Sequence, residues 1–400
     1  MELHKSCKKT GVSFYYSALL LLLVAVNSCN QSPGTHSPND LKTGTKISSC
    51  SGDEKIKDGS WALTDLAGRI ISMPENTDKV ICSGSGCLRY LTYLEAHDRI
   101  VAVDAIEVRG SPIDARPYAI ANPQFKEYPV FGEFRGFDNP ELIAGLNPGP
   151  DVIFKMAPFG GVDPDILQKK TGIPVIMLQY GNLTYNRQTF DRTLYLMAEI
   201  VGQQKRAAEI ISYIDEIIAD LRSRIGSSSN LTCYIGGLGQ SGPHGIQSTN
   251  PRYAPFEFLG IKNAASISGN SSQVSYINVS KEQIIVWDPD IIFIDISTLR
   301  LPGSANALGQ LRHDPSFRNL KAVKNNRLYG LFPNNSYNEN IEVLLANAFF
   351  IGKILYPENF RDIDPMKKAE EISFFFNGGP AFLEMNKMFE NAGFAKIPLN

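Results

Sequence analysis

Arginine and aromatic side chains recur in the segments that follow the apolar runs of this chain. A guanidinium can bind a carboxylate or a catecholate oxygen through two parallel hydrogen bonds, and an aromatic face can cover the flat organic part of a ligand. Taken one at a time, each of these residues could also be a solvated loop residue. As a set they predict a binding site for an anionic ligand with a flat organic part. The candidate ligand-binding residues are Arg109, Arg116, Tyr118, Arg135, Phe159, His244, Tyr253, Tyr337 and Asn340.

Histidines are too few and too scattered to suggest a resident transition-metal ion. Beyond residue 58 the chain contains only His97, His244 and His313. Zinc and similar ions are bound by clustered imidazole, thiolate and carboxylate groups. The sequence therefore predicts no bound metal and no other cofactor, and His244 is a candidate ligand contact.

Two short motifs that could indicate an enzyme do not have the required surroundings. Residues 237–242 fit G-x-G-x-x-G after a predicted strand, but a loop follows where a dinucleotide-binding fold opens a helix. Residues 83–86, Ser-Gly-Ser-Gly, lie at a strand-to-helix turn without matching the G-x-S-x-G pattern of a hydrolase. No catalytic residue is predicted, and a secreted α/β enzyme is the weaker alternative.

The composition indicates a globular protein with more than one core. A chain of 400 residues exceeds what one hydrophobic core usually supports. With 43% hydrophobic residues and a net charge of -2, the chain is neither disordered nor a polycation. Two lobes are expected, and nucleic acid is not a predicted partner.

The N-terminus has the parts of an export signal. Basic residues precede the apolar run 15–26, which is shorter than the roughly 20 residues that a transmembrane helix needs. Residues 26–29, Val-Asn-Ser-Cys, resemble a lipobox, so residues 1–29 are predicted to be a lipoprotein signal peptide with Cys29 as the lipidation site. A plain signal peptide is the alternative. Residues 30–58 are small and polar and predict a flexible tether to the membrane.

Apolar runs alternate with amphipathic segments and predict an α/β fold of two Rossmann-like lobes with mainly parallel sheets. The predicted N-terminal lobe spans 59–186 and the C-terminal lobe 227–400. Residues 187–226 have helical periodicity without proline, and the part 203–224 would form a bridging helix about 30 Å long. Ligands bind at the carboxyl ends of such strands, so two facing lobes should form a cleft.

Cys82 and Cys87 lie close together in a chain whose predicted export permits disulfides. A bridge would close a small loop. If a helix begins at Cys87, however, the two thiols need not reach disulfide geometry. Both outcomes remain open from the sequence.

One pattern occurs twice in the chain. Residues 139–148, NPELIAGLNP, precede a strand that begins after Asp151, and residues 279–284, VSKEQI, precede one that begins after Asp290. Together with TDLAGR at 64–69, these segments resemble the class III periplasmic binding proteins over about residues 63–399. That family serves ABC importers of ferric siderophores, haem and cobalamin.

The resemblance implies a monomeric, extracytoplasmic substrate-binding protein that is anchored to the cell membrane through its lipid. It would deliver a metal chelate to an ABC permease and its ATPase, with a ferric siderophore expected first, a corrinoid second and haem third. It also implies that Glu141 and Glu282 pair with arginines of the permease. The alternative is that each is an exposed acid stabilising the first turn of a helix. A surface sensor without transport is the alternative function.

Overall fold

Short, buried apolar runs form the central strands of the molecule. The structure is a computed structural model that describes residues 61–157, 160–226, 229–266 and 274–399. The strands are β1 (Trp61–Thr64), β2 (Ile70–Met73), β3 (Val80–Ser83), β4 (Val103–Asp104), β5 (Val130–Glu133), β6 (Phe137–Asp138), β7 (Val152–Met156), β8 (Val175–Leu178), β9 (Thr232–Gly236), β10 (Ser248–Thr249), β11 (Lys262–Asn263), β12 (Ile277–Asn278), β13 (Ile291–Asp295) and β14 (Leu328–Leu331).

Helices lie between these strands and form the C-terminal part of the chain. The helices are α1 (Cys87–Tyr93), α2 (Ala105–Val108), α3 (Pro117–Ala121), α4 (Pro140–Ala144), α5 (Pro164–Thr171), α6 (Arg187–Ile200), α7 (Gln204–Ser223), α8 (Ala254–Phe258), α9 (Lys281–Trp287), α10 (Ala307–His313), α11 (Lys321–Lys324), α12 (Ile341–Leu355), α13 (Pro365–Asn377) and α14 (Phe382–Met388). None of these helices in the described part of the chain is long and apolar enough to cross a membrane.

Parallel pairing dominates both halves of the chain. In the first half, β3, β7 and β8 form a parallel sheet, and β4, β5 and β6 form a second small sheet that β3 approaches through a parallel bridge from Val80 to Ile100. In the second half, β11, β9, β13 and β14 form a parallel sheet in that order. Strands β7, β8 and β13 are buried along their whole length, as parallel strands covered on both faces require. The predicted α/β class is confirmed.

Two helices form the predicted helical tract 187–226. Helix α6 ends near Gly202, whose φ of +68° is a conformation that glycine adopts without strain. Helix α7 then buries one face through Ile210, Ile214 and Leu221, which recur at helical spacing. It packs against α6 from the first half and against α12 from the second, and therefore connects the two halves.

Helix α12 is the interior helix of the second half. Its residues Ile341 to Gly352 are all buried, which fits a helix that is apolar on nearly every side. Helix α13 packs along it, and Phe376 of α13 contacts Tyr93 of α1 in an edge-to-face arrangement at 4.8 Å between ring centroids. The helical layer therefore joins the sheets of the two halves.

The structure decides the open question about the cysteines. Cys82 and Cys87 are both free thiols, so of the two outcomes left open by the sequence the structure has the one without a disulfide. Cys87 is the first residue of α1, and its thiol donates a hydrogen bond to the carbonyl oxygen of Phe154 on β7 at 3.6 Å. Burial raises the pKa of the Cys82 thiol well above its ordinary value, with Cys87 adding to the effect.

Four of the sequence predictions concern residues outside those that the structure describes. They are the signal peptide 1–29, the lipidation site Cys29, the tether 30–58 and the ligand contact Phe159. These four stay predictions.

Candidate ligand-binding cleft

The loops at the carboxyl ends of the strands line a cleft of about 920 Å³. The first half of the chain contributes the loops after β3, β4, β7 and β8 and the turn between β5 and β6. The second half contributes the loops after β9, β13 and β14. This placement follows from parallel pairing, which brings the ends of neighbouring strands to one edge. The charged and aromatic lining residues are Arg109, Asp114, Arg116, Phe134, Arg135, Tyr180, Tyr185, Tyr276, Arg300, Tyr337 and Glu339.

Two guanidinium groups flank one aromatic ring on the first wall. The guanidinium carbons of Arg109 and Arg135 lie 4.9 and 5.3 Å from the centroid of the Phe134 ring, within the range of a cation–π contact. Arg109 also forms an exposed ion pair of 2.9 Å with Glu133. Within the described ranges Arg135 has no carboxylate partner, so its charge is available to a ligand.

A buried ionic network supports this wall. Arg116 forms ion pairs with Glu107 at 2.9 Å and with Asp114 at 2.8 Å. The hydroxyl group of Tyr118 donates to the second oxygen of Glu107 at 2.6 Å. Burial raises the pKa of Glu107, while Arg116 and Tyr118 oppose this rise. Arg116 is at the cleft edge, but its charge is already paired, so it offers a ligand much less than Arg135 does.

The loop 333–339 between β14 and α12 forms much of the second wall. Its backbone is held by Arg89 of α1, which is buried and donates hydrogen bonds to the carbonyl oxygens of Ser336 at 2.8 Å, Tyr337 at 3.1 Å and Glu339 at 3.0 Å. Burial raises the pKa of the Glu339 carboxyl group to about 7, with Arg89 opposing the rise. Near neutral pH, Glu339 is therefore partly neutral and repels an anionic ligand less than an ordinary carboxylate would.

Two side chains at the carboxyl end of β13 have polar atoms without a hydrogen-bond partner among the described residues. Asp295 ends β13 and is 1% exposed, and its Oδ2 has no hydrogen bond within the described residues. The hydroxyl oxygen of Ser297, which lines the cleft, is also unpartnered there. Burial raises the pKa of Asp295 to about 6. Buried polar atoms of this kind cost free energy unless a ligand or water satisfies them.

Four of the predicted ligand-binding residues line the cleft, namely Arg109, Arg116, Arg135 and Tyr337. His244 follows the cleft-lining segment 239–243 but is not itself in the described lining, and its Nε2 lies 2.8 Å from the carbonyl oxygen of Gln240.

The other three described candidates are buried, and their predicted position at the cleft surface is corrected. Tyr118 is 0% exposed and bonded to Glu107. Tyr253 is 1% exposed and accepts a hydrogen bond from Asn347 at 3.1 Å. Asn340 is 0% exposed and donates to the carbonyl oxygen of Ala115 at 3.3 Å. These side chains support the walls from behind.

Sequence reasoning missed several lining residues. Tyr180 and Tyr185 follow β8, and Arg300 follows β13, so the rule that sites lie after strands could have found all three. Arg300 has no ion pair within the described ranges and is exposed.

No group of histidine, cysteine or carboxylate side chains in the described part of the chain could hold a metal ion.

Glu141 and Glu282 occupy equivalent positions in the two halves. Each is exposed in the first turn of a helix, α4 and α9 respectively. Each helix begins with a side-chain cap, from Asn139 in α4 and from Ser280 in α9. At these positions each carboxylate could stabilise the first turn of its helix, and each could also contact a permease. The permease contact stays a prediction.

Known proteins share this architecture. The family described as "Periplasmic binding protein" matches residues 80–334, more than half of the chain, and the chain belongs to that family. This confirms the resemblance to class III periplasmic binding proteins. The Fe(3+)-citrate-binding protein YfmC of Bacillus subtilis is 26% identical over 162 residues, which are 40% of this chain and 48% of that protein. The chain thus spans about half the length of that relative.

A second relative matches over more of its length. The molybdate-binding protein MolA of Haemophilus influenzae is 20% identical over 341 residues, which are 77% of this chain and 88% of that protein. Its structure bound to molybdate has a TM-score of 0.59 and covers 80% of this chain and 98% of that chain at 19% identity. An ABC transporter solute binding protein from Sulfurospirillum deleyianum has a TM-score of 0.57 at 18% identity, covering 82% and 98%. These structural likenesses show a common two-lobe fold.

Proposed function

We propose that this chain is the extracytoplasmic substrate-binding component of an ABC importer and that it captures an anionic metal chelate in the cleft. A ferric siderophore is the favoured cargo, ahead of a corrinoid and haem. The observation that carries the proposal is the pair Arg135 and Arg300, which line the cleft from the two halves of the chain without an ion pair in the described residues. Unpaired guanidinium groups are well suited to carboxylate and catecholate oxygens.

The size of the cleft supports an organic chelate over a bare oxyanion. Its volume of about 920 Å³ lies within the range of about 300 to 1,000 Å³ that is usual for drug-sized ligands. A tetrahedral oxyanion such as molybdate, the ligand in the name of MolA, would leave most of this space to water. The similarity to YfmC, named for ferric citrate, agrees with an iron chelate.

The aromatic residues that line the cleft help to rank the candidate ligands. Tyr180, Tyr185 and Tyr276 provide rings for the organic framework of a chelate. No histidine lies among the described lining residues, although histidine is a common axial ligand of haem iron. Haem is therefore placed last.

The remaining parts of the proposal concern delivery. Glu141 and Glu282 would contact the permease, one from each half, and Cys29 with the tether 30–58 would keep the protein at the membrane surface. Reversing both charges, Glu141→Arg with Glu282→Arg, should leave ligand affinity unchanged and abolish uptake in cells. A sensor that does not transport its ligand would keep its function in that variant. Ligand-dependent signalling that is unchanged by the charge reversal would therefore favour the sensor.

The cargo is tested by isothermal titration calorimetry of the purified chain. The panel comprises ferric citrate, ferric catecholate and ferric hydroxamate siderophores, cobalamin, haem and sodium molybdate. One ferric chelate is expected to bind with a stoichiometry of one and a Kd below about 1 μM, or about 8 kcal/mol of binding free energy. Tight binding of molybdate alone would contradict the chelate, and no binding by any ligand would return the sensor and the enzyme to consideration.

A further inference from the structure

Arg135 has an unfavourable backbone conformation in the cleft wall. Its φ is +63°, in the left-handed region that side chains with a Cβ atom rarely occupy. It lies in the turn between β5 and β6, immediately before Gly136, whose φ is +80°. Such a conformation persists only where neighbouring contacts hold it.

Lys155 and Val162 of the first half donate to the carbonyl oxygen of Gly136, and a further contact, to Arg135 itself, comes from the other half of the chain. The backbone N–H of Arg135 donates to the hydroxyl oxygen of Tyr337 at 2.9 Å. The same hydroxyl group donates in turn to a carboxylate oxygen of Asp104, at the end of β4. One phenol group thus connects the loop before α12 with two elements of the first half.

The position of this phenol group is itself fixed. Tyr337 and Asn338 both have positive φ values, +52° and +77°. Arg89 binds the carbonyl oxygen of Tyr337 and those of two neighbouring residues, so the loop is anchored to α1. Asp104 is 4% exposed, and its carboxylate also accepts a hydrogen bond from the backbone N–H of Ile106 at 3.3 Å.

We infer that Tyr337 is a positioning residue whose hydroxyl group, supplied by the second half of the chain, holds the Arg135 turn so that its guanidinium is presented to the ligand. The inference rests on the proposed function, in which Arg135 binds an anionic chelate. The Tyr337 hydroxyl group then binds other protein groups and not the ligand, because it already donates a hydrogen bond to Asp104 and accepts one from the backbone N–H of Arg135. Ligand affinity then depends on the contact between the two halves.

The first test needs no ligand. Tyr337→Phe in the full chain keeps the ring and removes the hydroxyl, and the amide of Arg135 should exchange its hydrogen about fivefold to tenfold faster, the factor for one lost hydrogen bond. Amides within β5 should keep their rates. Tyr276→Phe is the matched control, since its hydroxyl group accepts from Asn334 instead. An unchanged exchange rate at Arg135 in Tyr337→Phe overturns the inference.

The second test uses ferric citrate as the probe in calorimetric titrations. Tyr337→Phe should weaken binding in the wild-type background and have no further effect in an Arg135→Met background, because it acts through that arginine. Equal losses in both backgrounds would mean that Tyr337 contacts the ligand directly, against the inference. If the wild-type chain does not bind ferric citrate, that chelate is excluded as the cargo and the same titrations use the ferric chelate that binds; the proposed cargo fails only if no ferric chelate binds, and the exchange measurement still decides the role of Tyr337.

Discussion

Replacing Lys155 with methionine removes a charge from a fully buried network beneath the cleft. Lys155 and Asp138 are both completely buried and form an ion pair. The Lys155 ammonium group also donates to the carbonyl oxygen of Gly136 at 3.0 Å and to the hydroxyl oxygen of Ser83 at 3.2 Å. Ser83 in turn donates to the other oxygen of Asp138 at 2.6 Å. The three ammonium hydrogens therefore each have an acceptor, and the network joins β3, β6 and β7.

The expected loss follows from the burial of both charges. Removing one partner of a buried ion pair costs about 3–5 kcal/mol of unfolding free energy, because the other charge is left without compensation. The whole stability of a domain is about 5–15 kcal/mol, so this loss is large. Asp138→Asn should also lower the unfolding free energy. The double variant Lys155→Met with Asp138→Asn should lose clearly less than the two single losses together.

Urea unfolding of the ligand-free protein, followed by circular dichroism, measures these differences. Lys170→Met is the matched control, because it is the same substitution at an exposed position at the end of α5, where a change within about 0.5 kcal/mol is expected. A loss below about 1 kcal/mol in Lys155→Met, or strictly additive losses in the double variant, would refute the reasoning about the buried pair.

Other regions of the fold give three further predictions. Burial raises the pKa of Asp295 from 3.8 to about 6, so the folded state loses up to about 3 kcal/mol of stability as the pH rises through this interval. Asp295→Asn should therefore be more stable than wild type in urea at pH 7.5 but not at pH 3.5, and a difference independent of pH would contradict this. Cys82 and Cys87 should resist alkylation by iodoacetamide in the native protein and react with it in urea without reductant. If the peptide that contains them is alkylated only after reduction, the two cysteines form a disulfide. Gly330→Ala should lower the unfolding free energy by about 3 kcal/mol, since the added Cβ atom would lie 2.0 Å from the carbonyl oxygen of Ala392. An unchanged melting temperature would contradict this close packing of Gly330 against Ala392.

The fold was predictable because its signals are local. The buried strands β7, β8 and β13 appear in the sequence as short apolar runs, and the period of α6 and α7 is visible along 187–226. The general place of the site followed as well, since Arg109 and Arg135 lie in loops after or between predicted strands.

Side-chain direction and long-range pairing were not predictable. Tyr253 and Asn340 also lie next to cleft loops, but their side chains point into the protein, and nothing in the local sequence distinguishes them from Tyr337. Arg89 was missed because its partners lie about 250 residues away in the chain. Lys155 did carry a signal, since a lysine within the otherwise apolar run of β7 needs a buried partner.

The most direct test of the cleft as the binding site is a calorimetric titration of the double variant Arg135→Met with Arg300→Met, using the ferric chelate that binds the wild-type chain. Hydrogen bonds to charged groups contribute about 1.5–3 kcal/mol each, so losing both guanidinium groups should weaken binding by about 100-fold or more. Lys170→Met should bind as the wild type does. A double variant that keeps wild-type affinity, with the fold intact by circular dichroism, would contradict the assignment of this cleft as the site of an anionic chelate.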